Sequence, residues 1–176
     1  MQYPEPEWFT DEYLDSLYTL LEVLGAHQEA ETIKHALSTS SDIFEDLQVE
    51  YTRLFINGSP HVIAPPYGSV YIDKSLQGKH TEKTLQFYTS HGYSLKSGME
   101  LPDHIVHQLE FLSLLADQGD AATEAQFLNS IFLPWFPQFH ARVKQDSIHP
   151  FYSVIVQLID YLTKEDDEHG IQLNEA

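Results

Sequence analysis

Residues 101–116 read LPDHIVHQLEFLSLLA. Ile105, Val106, Leu109, Leu112 and Ala116 recur at the three- and four-residue spacing of a helix with one buried stripe. Pro102 suits the first turn, where its missing N–H leaves no bond unmade, and Gly119 ends the pattern. The same period recurs on both sides. Leu14, Leu17, Leu21 and Leu24 predict a helix over 11–24, with Thr10 as N-cap and Gly25 as its stop. His27–Leu37 carries Ala30, Ile33 and Leu37. Asp42 opens a capping-box-like start before Ile43, Phe44, Leu47, Tyr51, Leu54 and Phe55, and Asn57-Gly58 closes it. Leu85 and Tyr88 mark a helix over 81–90, and Ala125, Leu128 and Phe132 one over 120–132. Pro134 and Pro137 break the path before a further helix to about Lys144, and Pro150 starts a last one along Phe151, Val154, Ile155, Leu158, Ile159 and Leu162. No period-2 strand and no fixed-period repeat stands out. The class predicted is all-α: a compact single-domain bundle over residues 1–176, with seven or eight helices, a long central loop, and a frayed acidic tail over 165–176.

A chain of 176 residues is long enough to bury a sizeable core, and 42% apolar content is ordinary for a soluble globular protein. With no Cys, disulfides, thiolate chemistry and Cys-ligated zinc are excluded. No apolar run reaches the roughly 20 residues that span a bilayer, and MQYPEPEWFTDEY lacks the basic and apolar regions of a signal peptide. The expectation is a cytoplasmic protein without membrane insertion. Nine Lys plus Arg stand against 27 Asp plus Glu, a net charge of −18. That field repels nucleic acid and anionic lipid and attracts basic partners.

Two stretches depart from the helical pattern: NGSPHVIAPPYGSVYID at 57–73, and the start of the segment quoted first. Pro65-Pro66 imposes a rigid extended backbone, Tyr67 follows, and Gly68 lets the chain turn or approach a neighbour closely. Such a loop suits peptide docking, since aromatics supply apolar contact and carboxylates pair with Arg. It equally suits a long loop anchored on the core by Tyr67 and Tyr71. His104, His107 and Glu110 lie along one side of a helix, so a metal-dependent hydrolase is one alternative and a non-catalytic adaptor domain another, although the i, i+3, i+6 spacing of the three drifts around the axis and no HExxH is present. No nucleophile elbow surrounds Ser59, Ser69 or Ser97, and no phosphate-binding glycine loop occurs. Neither a catalytic residue, a metal site nor a cofactor is expected.

EYTRLF at 50–55, PPYGSVY at 65–71, Tyr88 to Gly92, and PDHIVHQLEF at 102–111 occur in an order that resembles the TorD/DmsD family of molybdoenzyme chaperones. The resemblance implies an all-helical, non-catalytic protein that binds the twin-arginine signal peptide and the apo form of a DMSO-reductase-type enzyme, assists cofactor insertion and prevents premature export. It places peptide binding at Tyr67, Ser69, Val70, Tyr71, Asp103 and His104, with Pro65, Pro66, Gly68, Pro102 and Glu110 as structural motif positions. No motif here supports the guanine-nucleotide binding proposed for some members. The aromatic after Pro-Pro, often Trp in relatives, is Tyr67 here. Against the family pattern, one helix before Met1–Trp8 is expected to be missing, which would leave apolar surface and allow a homodimer.

Overall fold

A computed structural model describes residues 9–58, 61–95 and 100–168. They form nine α-helices and two π-helical turns, without a strand among the described residues. The all-α expectation holds, with more helices than the seven or eight predicted. The chain forms two compact units, residues 1–58 with 143–176, and residues 59–142.

The first unit contains α1 (Asp11–Val23), α2 (His27–Thr39), α3 (Ile43–Tyr51) and α9 (Pro150–Glu168). Thr10 and Asp42 cap α1 and α3, their side chains accepting from Tyr13 N at 3.2 Å and Glu45 N at 3.0 Å. Gly25 takes the left-handed turn, φ 74°, that carries the chain into α2. The core is largely aliphatic: Leu17, Leu21, Ala30, Ile33, Leu37, Leu47 and Val154, with Phe151. The helix of α3 widens into a π-turn at Thr52–Ile56, which brings Leu54 and Phe55 inward while Tyr51 stays exposed. On α9, Val156 and Asp160 are buried and Leu162 is exposed, so its predicted stripe is shifted. Asp160 is paired to Lys164 at 2.7 Å, which permits a carboxylate where an aliphatic was expected. Residues 165–168, expected to fray, continue α9; the rest of the acidic tail lies outside the described residues.

Glu50 organises the turn that precedes α9. It is 4% exposed, and its carboxylate accepts from Arg53 Nε at 2.8 Å, Arg53 Nη2 at 3.0 Å, Ile148 N at 2.6 Å and His149 N at 3.3 Å. Arg53 also donates to the Asp146 carbonyl. Burial opposes ionisation of Glu50, but Arg53 and the two backbone N–H groups outweigh it and hold its pKa below the usual range.

The second unit contains α4 (Gly68–Ile72), α5 (Lys79–Ser90), α6 (Ile105–Gln118), α7 (Ala121–Phe127) and a π-turn at Leu128–Phe132. α8 (Phe136–Asp146) begins here and ends in the first unit. Its core is aromatic. Tyr88, Phe111 and Phe127 meet at centroid distances of 4.9–5.8 Å, and Trp135 packs against Tyr71 at 5.6 Å and Phe139 at 5.7 Å. On α5, Leu85 is exposed, and His80, Thr81, Thr84 and Tyr88 face inward.

Two expectations are corrected in this unit. The long central loop is interrupted by α4, whose five residues are too few to register as a helical period. The stripe of α6 is rotated by about one residue. Val106 is 47% exposed and Ala116 is exposed, whereas His107, Gln108, Phe111, Leu112 and Leu115 are buried. A polar residue can take a core position when its groups are bonded there, and Gln108 is so bonded. Pro102 lies in the turn before α6 rather than in its first turn.

Because the native pKa of Glu50 is depressed, the stability it contributes is full above the ordinary carboxylate pKa of about 4.3 and is lost as pH falls through the native value. Glu50→Gln is expected to reduce the free energy of unfolding by about 1.5–3 kcal/mol at neutral pH. Urea melts should show the loss at pH 7 and its disappearance under acid; an unchanged midpoint at pH 7 would assign the turn to packing alone.

Candidate functional site

The two stretches singled out by sequence meet atom to atom. Gly68 N donates to Asp103 O at 3.0 Å and Ile105 N to Pro66 O at 2.9 Å, so Tyr67 and His104 form an isolated antiparallel bridge. Pro65 and Pro66 hold the first strand of that bridge extended and leave Pro66 a carbonyl with no competing N–H. Gly68 is needed for space. A Cβ there would lie 2.6 Å from Cδ2 and Nε2 of buried His80 and 3.1 Å from Trp135 Cδ1.

Beneath the bridge runs a polar network. The Asp103 carboxylate accepts from Ser69 N at 2.7 Å and so caps α4, a helix other than its own. Gln108 is fully buried; its Nε2 donates to Asp103 O at 3.0 Å and its Oε1 accepts from Trp135 Nε1 at 3.1 Å. Tyr88 OH donates to Pro102 O at 3.2 Å. Tyr71 is held under the Arg142 guanidinium, 5.0 Å from its ring, and burial raises its phenol pKa.

The six residues assigned to peptide binding therefore divide by depth. Ser69, Tyr71 and Asp103 are buried and serve as scaffold. Tyr67 and Val70 are partly exposed, and His104 lies at 7% exposure directly under Tyr67, with ring centroids 4.9 Å apart. Among the motif positions, Pro66 and Gly68 are buried, Pro65 and Pro102 are partly exposed, and Glu110 is exposed. Two contributors escaped sequence reasoning. Glu100 accepts from Tyr67 OH at 2.5 Å, and Tyr93 OH donates to Glu110 at 3.3 Å. Neither belongs to a local pattern, because each is selected by a contact across a turn.

His104 is the N-cap of α6, its Nδ1 accepting from Val106 N at 3.2 Å. Burial lowers its pKa, and the neighbouring His107 acts in the same direction against Glu100 and Asp103. His107 faces Glu110, with Nδ1 3.2 Å from Oε2. The His104 and His107 rings are 6.3 Å apart, and His104 Nδ1 is committed to the backbone. No group of three or more His, Asp or Glu among the described residues is arranged to hold a metal.

This helical scaffold places the chain in a known class. Residues 21–141 match the family of the nitrate reductase delta subunit, and the chain belongs to that family. All four ordered motifs fall inside the matched segment. The particular relatives are chaperones named TorD. That of Psychrobacter sp. is 29% identical over 74% of this chain and 65% of its own length, and that of Aliivibrio fischeri is 29% identical over 89% and 74%. The chain thus spans slightly under two thirds of the first of these relatives. A crystal structure of an Archaeoglobus fulgidus protein assigned to redox enzyme maturation superposes with a TM-score of 0.62 at 30% identity, over 90% of this chain and 86% of that one. The sequence-level resemblance to molybdoenzyme chaperones is supported by both kinds of relative.

A depressed His104 pKa means that the unfolded chain binds the extra proton near pH 6, so this contribution to stability is full above 6.5 and is lost as pH falls through the native value. Protonated Nδ1 can no longer accept from Val106 N. Hydrogen-exchange protection of the Val106 amide should therefore fall as the His104 ring, followed by its own NMR shifts, takes up its proton in acid; protection that survives protonation of the ring would contradict the cap. Gln108→Ala should lower stability by about 1–3 kcal/mol through the stranded Trp135 N–H and shift the Trp135 indole N–H resonance; an unmoved resonance would mean the bridge is dispensable.

Proposed function

We propose that this chain is a cytoplasmic chaperone that binds the twin-arginine signal peptide and the apo form of a DMSO-reductase-type molybdoenzyme. In that role it assists cofactor insertion and delays export, and it performs no catalysis itself. The observation that carries the reading is the Tyr67–His104 face. An aromatic edge, an apolar flank at Val70 and exposed Val106, and the Glu100 carboxylate are carried on a buried, hydrogen-bonded scaffold. A signal peptide with two guanidinium groups before an apolar stretch complements those features. The net charge of −18 favours encounter with such a peptide at low ionic strength. The names of the relatives, chaperones and a maturation protein, agree with this role. Among the described residues no helix is long and apolar enough to cross a membrane.

Burial supports a division of the proposed contacts by depth. Tyr67, Val70 and the edge of His104 touch the peptide, while Ser69, Tyr71 and Asp103 keep those contacts in place. Calorimetric titration with a twin-arginine leader should give binding that weakens with salt and falls sharply when both Arg are replaced by Gln. Tyr67→Ala should weaken the leader by about tenfold with little change in Tm, whereas Asp103→Ala should lower Tm by several degrees. Equal affinity for the Arg and Gln leaders would overturn the proposal.

A further inference from the structure

A groove of about 430 Å³ opens beside α6, lined by Tyr93, Leu95, His107, Glu110 and Leu114 among others. Its centre is the Glu110 side chain, half exposed at 50%. Tyr93 OH and His107 Nδ1 both meet Glu110 at Oε2, at 3.3 and 3.2 Å, and Oε1 has no partner among the described residues. A carboxylate only accepts, so His107 Nδ1 must carry the proton that joins them. His107 Nε2 is buried without a partner in a residue 1% exposed. Burial, then the Glu110 charge, raises the Tyr93 phenol pKa and keeps its proton in place. The groove thus presents a carboxylate with an open oxygen, with leucines on its walls.

We propose that this groove receives an arginine side chain of the bound peptide, with Glu110 as its anion and Tyr93 and His107 as positioning residues. A guanidinium carries five N–H donors and no acceptor, which complements a site whose open valence is an unpartnered carboxylate oxygen. Its weak hydration suits a half-buried groove better than the strongly hydrated ammonium of Lys, and its methylene stem can lie on Leu95 and Leu114. The identity of the peptide rests on the function proposed above; the guanidinium specificity does not.

Two experiments separate these. NMR titration with L-arginine amide should shift the Tyr93, Leu95, Glu110 and Leu114 amides. L-citrulline amide, and arginine amide added to Glu110→Gln, should not shift them. Equal shifts with citrulline amide, or shifts scattered over the surface, would overturn the groove. With the full leader, Glu110→Gln should reduce affinity by about tenfold, and that factor should vanish once one particular arginine of the leader is replaced by Gln. A leader that binds the unaltered protein but loses the same factor whichever arginine is replaced overturns this inference and leaves peptide binding standing. A leader that does not bind while arginine amide still shifts those four amides overturns the proposed function and leaves the groove.

Discussion

The second unit depends on the amide of Gln108. Its two ends bridge the Asp103 carbonyl from the turn before α6, which also accepts from Gly68 N, and the Trp135 indole N–H from the segment before α8, which would otherwise be buried without a partner. An amide is one of the few side chains that can accept from one neighbour and donate to another. Leu would fill the volume and strand the indole N–H, at a penalty of about 1–3 kcal/mol. Once that bridge exists, Asp103 is fixed, its carboxylate holds Ser69 N, and α4 starts where it does. The Tyr67–His104 bridge follows from that placement. The exposed edge is therefore rigid because the layer beneath it is polar and satisfied at these atoms, rather than merely apolar.

The first unit uses the same physics with different atoms. Glu50 does for the turn into α9 what Asp103 does for α4: a buried carboxylate accepts backbone N–H groups distant in sequence. Arg53 lies beside Glu50 and neutralises it, and that compensation is why a charge is tolerated at 4% exposure. Both carboxylates fall inside the sequence motifs that carry the family resemblance. Those motifs therefore mark scaffold at least as much as contact surface, and a residue's place in a motif does not tell which of the two it is.

Local rules were legible. Thr10, Asp42 and Gly25 act as cap or stop where their side chains and backbone freedom predict, and the all-α class follows from apolar periodicity. The pairing of 65–71 with 102–104 was also legible, through the order of the motifs. The depth of individual side chains was not. Periodicity counts Val106 and Ala116 as core and Gln108 as surface because it weighs side chains by transfer from water, and a hydrogen bond that offsets desolvation is invisible to it. Asp103, which the resemblance gave a peptide-binding role, is likewise buried. α4 has five residues and no period to detect. Glu100 and Tyr93 matter through contacts across turns, and no spacing rule reaches those.

Sorting the carboxylates by burial gives the large negative charge two roles. Glu50 has its charge spent on backbone N–H groups and Arg53, and Asp103 is buried with one oxygen on Ser69 N, so both offer little to a ligand. Glu100 and Glu110 stand at the surface, each fixed by a tyrosine hydroxyl, and each keeps capacity to accept more. A phenol donor orients a carboxylate without cancelling its charge, as a Lys or Arg partner would. Ion-pairing every surface carboxylate would stabilise the fold slightly, by about 0–1 kcal/mol per pair, and would erase a field attractive to cations. With nine basic residues against 27 acidic ones, most carboxylates must stay unpaired. Self-repulsion in the folded state is then the penalty for attraction toward a cationic partner.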